Sequence, residues 1–371
     1  MRIFSTLIKM TFLGQFALFA NLLLPQTSVA STPSAPDRTY VIYMVLWDGS
    51  TDVEKGFKEY LAQQGIKAEY VVSDCKGNAK KCHELVADIK QVKPDLVFTW
   101  STPAVKEIAG SVNAKNKDEY VWTIPIVSTL AASPVKSEII YDMNKPGRNV
   151  TGVNHIAPME AQINTMLSYV SLKKMGVFFT TVEPISTPMV DAFHKECEKR
   201  GIESVSFPYS YLINGKLDLS KLDETFKKIK ESGVDLIYLP PSNIMSGNGK
   251  ELCEIATRNK LMTFTGTELM VAKGPPLMAL ISSNINIGRM AGQKAEDILV
   301  KKQDIAQIPY QTFDKFAFVI AKSVMRQIKV YPPLITIDSA SFIADKDEEK
   351  AVKETDKTTK DAEPSDKTKS A

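Results

Sequence analysis

The stretch PDLVFTWSTPAVKEIAG, residues 94–110, decides how the rest of the chain is read. Its apolar run, Leu96-Val97-Phe98, passes without a turn into Ser101-Thr102-Pro103 and then into a helical pattern. A run without polar alternation suits a strand covered on both faces, as in a parallel sheet. Thr102 stands where an N-cap belongs and Pro103 where the first helical residue belongs. A helix therefore starts at the carboxyl end of a buried strand. The same tripeptide recurs at Ser186-Thr187-Pro188, again after an apolar run, Gly176-Val177-Phe178-Phe179.

Outward from there the alternation continues. Tyr40–Trp47 reads as a strand, and Thr51-Asp52-Val53-Glu54 as a capping box opening a helix that Gly65 ends. Lys67–Ser73 is a strand, Ala79–Val92 a helix, Asp95–Trp100 a strand and Ile124–Ser128 another. The pattern restarts with strands at Met175–Thr180, Ile202–Pro208, Asp235–Pro240, Met262–Gly266 and Met278–Ser282. Helices Pro188–Arg200, Ser220–Glu231 and Asn248–Lys260 fall between them. Alternating strands and helices predict an α/β fold of two doubly wound parallel-sheet lobes with right-handed crossovers. The joining region is GRNVTGVNH, residues 147–155.

The ends read differently. Arg2 and Lys9 precede an apolar stretch from Met10 to Leu24, and Ser28-Val29-Ala30 offers a cleavage site, so residues 1–30 read as a secretory signal peptide. The stretch falls short of the roughly 20 residues of a membrane span, and an uncleaved anchor is the alternative. Residues 344–371 mix both charges with almost no apolar residue and predict a disordered tail. The 371-residue chain carries a formal net charge of +3 without a basic stripe interleaved with aromatics, which argues against nucleic acid.

Cys75 and Cys82 flank KGNAKK, and in an oxidising compartment they predict a disulfide contributing roughly 2–3 kcal/mol. Cys197 and Cys253 fall in helical segments and read as buried free thiols. Three histidines, His83, His155 and His194, form no metal-ligand spacing, and no cofactor is implied. SGNGKE, residues 246–251, lacks the full phosphate-loop pattern. There is no G-x-S-x-G and no Ser/His/Asp arrangement, so catalysis is not expected.

In open α/β sheets, ligands bind at the carboxyl ends of the strands. A helix N-terminus there offers N–H groups and positive potential to an anion, although plain capping accounts for either tripeptide alone. Trp47, Asp48, Thr102 and Thr129 stand at such ends in the first lobe, and Glu183, Ser186, Asn243 and Glu268 in the second. Trp47 is the aromatic expected to cover a ligand, whereas Trp100 reads as core. Asp48, Glu183 and Glu268 could together meet an ammonium.

Several segments resemble the ABC-transporter substrate-binding proteins related to the tryptophan/tyrosine transport binding component. They are VEKGFKEYLAQQGI, PDLVFTWSTPAVKEI, IPIVSTLAASPV, NVTGVN, GVFFTTVEPISTPMVDAF, LIYLPPSN, NIGRMAGQKAEDIL and FAFVIAKSVMRQIKVYPPL, in that order across residues 38–335. The resemblance implies a type I periplasmic-binding-protein fold. Its three crossovers fall near 152–154, 284–286 and 312–316, with residues 38–153 and 285–312 in one lobe and 154–284 and 313–343 in the other. It also implies a monomeric periplasmic protein that closes on a small zwitterion and delivers it to an ABC permease and its ATPase. Ser133-Pro134, Ser242-Asn243 and Asn286-Ile287-Gly288 depart from the family's usual Asp-Pro, Asp-Asn and aromatic-Leu-Gly, all close to the expected cleft. A ligand-sensing or scaffold role on the same fold is the alternative function, and the charged tail keeps it open.

Overall fold

The apolar runs become strands because each is buried on both faces. Tyr43, Val97, Val127, Phe178, Tyr238 and Phe264, one from each of six strands, are wholly shielded from solvent. The computed structural model describes residues 38–183 and 186–343. The expected signal peptide, residues 1–30, and the tail, residues 344–371, lie outside the described residues.

The first sheet is built from β1 (Tyr40–Leu46), β2 (Ala68–Asp74), β3 (Leu96–Trp100), β4 (Ile126–Thr129) and β5 (Val150–Asn154). The helices α1 (Asp52–Gln63), α2 (Ala79–Val92) and α3 (Thr102–Ala109) connect them. The Thr51–Glu54 capping box is present: the Thr51 N–H donates to Glu54 Oε2 at 2.6 Å. The second sheet takes up the chain after α4 (Met159–Tyr169), with β6 (Lys174–Thr180), α5 (Ser186–Glu198) and β7 (Glu203–Tyr209). A short hairpin, β8 (Leu212–Ile213) and β9 (Lys216–Leu217), precedes α6 (Leu219–Glu231) and β10 (Leu236–Leu239). Then come α7 (Asn243–Gly247), α8 (Gly249–Arg258), β11 (Met262–Thr265), α9 (Glu268–Lys273) and β12 (Met278–Ser282). The chain returns through α10 (Asn284–Leu299) and β13 (Gln311–Thr312), then ends in β14 (Phe316–Ala321), α11 (Lys322–Ile328), α12 (Leu334–Ser339) and β15 (Ser341–Ile343).

Strand order is β13-β5-β4-β3-β1-β2 in the first sheet and β15-β14-β12-β11-β10-β6-β7 in the second. Within these two sheets all pairs are parallel except β12 with β14; the β8–β9 hairpin is antiparallel and stands apart. Without the late strands, both sheets repeat one doubly wound order, second-first-third-fourth-fifth. Each therefore has its switch point between its first and third strands, where two neighbouring connections leave to opposite faces and open a crevice.

Helix α10 completes the first lobe after the chain has passed through the second. It crosses α1 so closely that a Cβ on Gly288 would lie 2.0 Å from the Val53 carbonyl oxygen, and one on Gly56 1.9 Å from that of Ile285. Only glycine permits that approach. The core beneath joins Phe57, Phe98 and Trp100 to Ile287, Ala291 and Ala295. The chain passes between sheets after Asn154, between Ser282 and Asn284, and between Thr312 and Phe316, close to the three crossovers implied by the resemblance.

Cys75 and Cys82 form the expected disulfide, and Cys197 and Cys253 are free and buried. Among the described residues, no helix is long and apolar enough to cross a membrane.

A candidate ligand cleft between the sheets

The two switch points face one another. Trp47 and Asp48 leave the end of β1, and Trp100, Ser101 and Thr102 mark the step from β3 to α3. From the second sheet, Glu183 follows β6, and Pro241, Ser242 and Asn243 follow β10. These residues wall two cavities that share Thr102 and Asn243. The inner one, about 50 Å³, is bounded by Trp100, Ser101, His155, Ser242 and Glu268 among others. The outer one, about 770 Å³, is bounded by Trp47, Asp48 and Glu183 among others.

Local geometry explains how α3 presents its first turn. Ser101, not Thr102, is the N-cap: its Oγ accepts from the Ala104 N–H at 3.4 Å, and its backbone sits at φ 78°. Thr102 is the first helical residue, and its Oγ1 accepts from the Ala132 N–H at 3.1 Å, tying the helix start to the loop after β4. A positive φ at a non-glycine residue is strained, and Leu130, another wall of the inner cavity, shares it at φ 50°. Such strain persists where surrounding structure fixes it, and it concentrates at functional sites. The second tripeptide is shifted. Helix α5 already begins at Ser186, so Thr187 lies within the first turn and caps nothing as an N-cap. The two tripeptides are alike in sequence but stand one residue out of step on their helices.

The acidic candidates split by role. Both Glu183 oxygens are engaged: the Ser242 hydroxyl donates to one and the Asn243 N–H to the other at 3.0 Å. Ser242 is itself the N-cap of α7 and accepts from the Met245 N–H at 2.9 Å. Burial raises the Glu183 pKa, and these donors partly oppose the shift. Glu268 uses Oε2 to accept from the Asn284 N–H at 2.5 Å, so a carboxylate of α9 holds the first residue of α10. Burial raises its pKa too, the Asn284 N–H lowers it, and nearby Asp52 raises it.

Two polar atoms around the inner cavity have no partner. Trp100 Nε1 and His155 Nδ1 are buried without a hydrogen bond. Trp100 is 2% exposed and His155 8%. Burial pushes the His155 pKa down to about 3, so the imidazole is neutral at physiological pH. Its carbonyl accepts from the Ser282 hydroxyl at 3.0 Å, which links the exit of β5 to the exit of β12. A buried unpaired polar group costs about 1–3 kcal/mol, a cost relieved when a water or a ligand pairs it.

Of the residues singled out from sequence, Trp47, Asp48 and Glu183 line the outer cavity, Glu268 the inner, and Thr102 and Asn243 both. Thr129 lines neither. It is wholly buried at the end of β4, and its hydroxyl donates inward to the Thr99 carbonyl at 3.4 Å. The side chain of Ser186 lies outside the described residues. Trp100 belongs to the core, as expected, and is also a cavity wall. His155 and Ser242 were missed as site residues, although both follow strand ends, which is the signal that selected the others.

The two-sheet architecture is that of type I periplasmic binding proteins. A tyrosine-binding protein of Clostridioides difficile (strain R20291) is 23% identical over 308 residues, 81% of this chain and 82% of that one. An ABC domain in complex with L-Trp from Streptococcus pneumonia has a TM-score of 0.68 at 20% identity, covering 82% of this chain and 100% of that one. The ligand-free, open structure of a substrate binding protein with adhesive properties from Clostridium difficile has a TM-score of 0.65 at 19% identity, covering 83% and 100%. At these identities the structural likeness speaks for the fold. The family model for ABC transporter substrate binding proteins matches residues 39–339, and the chain belongs to that family, which is one of binding proteins and not of enzymes.

Proposed function

We propose that this protein captures an aromatic amino acid between its sheets, outside the cytoplasm, and hands it as a monomer to an ABC permease driven by its ATPase. The observation that carries the reading is the pair of unpartnered buried atoms, Trp100 Nε1 and His155 Nδ1, at the inner cavity. The α-carboxylate sits at the first turn of α3, where N–H groups and the helix dipole favour an anion. The ammonium meets Glu268, whose Oε2 alone is engaged by backbone. The ring extends into the outer cavity against Trp47. Closure of the sheets about the crossovers then excludes water and completes the contacts. A relative described as tyrosine-binding and a structural neighbour holding L-Trp support the choice of side chain.

Isothermal titration calorimetry with L-tyrosine and L-tryptophan tests it, with L-alanine as control. At least one aromatic amino acid should bind saturably, and a hundredfold excess over Kd should stabilise the fold by about 2.7 kcal/mol. Trp100→Phe, which keeps an aromatic ring but loses the donor, should weaken binding about tenfold, the value of one hydrogen bond in a dry site. No heat with any of the common amino acids would end the reading.

A further inference from the structure

The outer cavity carries a charge pattern that a neutral side chain does not use. Lys76, Lys106, Lys136 and Lys216 all line it. Among the described residues, none of these four ammoniums forms an ion pair. The acidic walls are fewer and partly occupied. They are Asp48, Glu107, which faces His83 at 3.4 Å, and Glu183, which is held by Ser242 and Asn243; beyond the cavity wall, Glu138 lies within electrostatic reach of Lys106.

The lysines are rooted on fixed backbone. Lys76 follows Cys75 of the disulfide; its N–H donates to Asp74 Oδ1 at 2.8 Å, and the next N–H, of Gly77, donates to the Trp47 carbonyl at 2.7 Å. Lys106 rises from α3. Lys136 sits in a turn closed by the Ser137 N–H donating to the Ser133 carbonyl at 2.8 Å. These three belong to the first lobe. Lys216 comes from the second, on the β8–β9 hairpin, whose Asn214-Gly215 turn has φ of 51° and 75°. The hairpin is anchored where the Leu217 N–H donates to Asn248 Oδ1 at 3.0 Å. Lys216 therefore shares one cavity with three like charges from the other lobe, an arrangement that an anion between them would relieve.

We propose that this lysine set is an anion subsite of the same cleft, and that the preferred ligand is an aromatic amino acid whose ring ends in a phosphate or a carboxylate. The inference rests on the amino-acid reading above and gives the far end of the side chain a partner. The head group is held in the inner cavity, and the distal anion bridges lysines of both lobes, so its charge favours the closed state.

The test compares O-phospho-L-tyrosine, 4-carboxy-L-phenylalanine and L-tyrosine by calorimetry at about 50 mM salt, where screening is weak. One or both charged analogues should bind at least about tenfold more tightly than L-tyrosine, and the stronger of the two names the anion. In Lys106→Met/Lys216→Met the ratio should fall to within about threefold, and raising wild-type salt to about 0.5 M should shrink it likewise. L-tyrosine bound as tightly as both analogues, or a ratio indifferent to the double substitution, overturns the inference and leaves the amino-acid reading standing. Inorganic pyrophosphate bound by a protein that ignores L-tyrosine and L-tryptophan does the reverse, keeping the anion subsite and removing the head group.

Discussion

His155 should make the fold acid-sensitive in a window set by its burial. Its pKa falls from the ordinary 6.5 to about 3, because the imidazolium would have to leave water for the inner cavity wall. The unfolded chain therefore binds a proton below about pH 6.5 that the folded chain refuses until about pH 3. A depressed pKa of this kind gives stability that is complete above the unfolded value and is lost as pH falls. From about pH 7 to about pH 5 the loss is about 1.9 kcal/mol, rising by about 1.4 kcal/mol per further unit until about pH 3. Glu183 and Glu268 act in the opposite direction, since a raised carboxyl pKa favours the fold as pH falls. Burial lowers the His194 pKa as well. All three groups remain in His155→Gln, so the difference between wild type and that variant isolates one residue. Urea unfolding at several pH values, followed by circular dichroism, measures it. A difference that stays within about 0.5 kcal/mol from pH 7 to pH 5 would refute the burial of a neutral imidazole at this position.

Replacing both Cys75 and Cys82 by Ala releases a loop of eight residues and should cost about 2.5 kcal/mol on chain entropy, read as a drop of about 4 °C in Tm; no drop would mean that hydrogen bonds alone hold the Trp47 loop. Gly288→Ala drives a methyl group to 2.0 Å from the Val53 carbonyl oxygen and should cost about 3 kcal/mol in chemical denaturation, whereas a cost below about 1 kcal/mol would contradict the close crossing of α1 and α10. Glu183→Gln should lower stability by about 1–3 kcal/mol, because its amide replaces an acceptor facing two donors, with ligand affinity following only through folding. Glu268→Gln should leave stability nearly unchanged and weaken the amino acid about tenfold or more, since one oxygen keeps its backbone donor while the charge opposite the ammonium is lost; the reverse ranking of the two variants would exchange their roles.

Much of the fold was legible because burial on two faces writes itself as unbroken apolar runs. Helix Ala79–Val92 and strand Met278–Ser282 match their expected bounds, and the Thr51–Glu54 box begins α1 as expected. Strand β5 was read as a joint, although Val150, Thr151 and Val153 are wholly buried, because polar Asn149 and Asn154 frame a run of only four residues. Hairpin β8–β9 has strands of two residues, too short for alternation to register, even though Asn-Gly is a strong turn signal. Strand β13, an exposed Gln311-Thr312, exists only because β5 offers an edge, which no local pattern contains. The antiparallel turn of β14 against β12 is likewise a matter of tertiary contact.

The site was legible as a place more than as a set of roles. The strand-end rule put Trp47, Asp48, Thr102, Glu183, Asn243 and Glu268 at the cleft, because the repeated strand order fixes where each crevice opens. It failed at Thr129, where the pleat turns the side chain inward: strand ends alternate faces, and the rule does not say which face a residue takes. Nor did it distinguish a carboxylate with spare valence from one already spent. Glu183 and Glu268 follow β6 and β11 in the same way, yet one closes a helix cap with both oxygens and the other keeps one oxygen clear of backbone donors. Trp100 was assigned to the core, and it is core, in one cluster with Phe98 and Val127, yet it also lines a cavity. Sequence classes a residue as buried or as functional, whereas a ligand that is itself buried on binding makes the two the same condition. The unpaired Nε1 of Trp100 and Nδ1 of His155 are therefore more informative than any motif in the chain, since each costs stability until a hydrogen-bond partner, water or ligand, meets it.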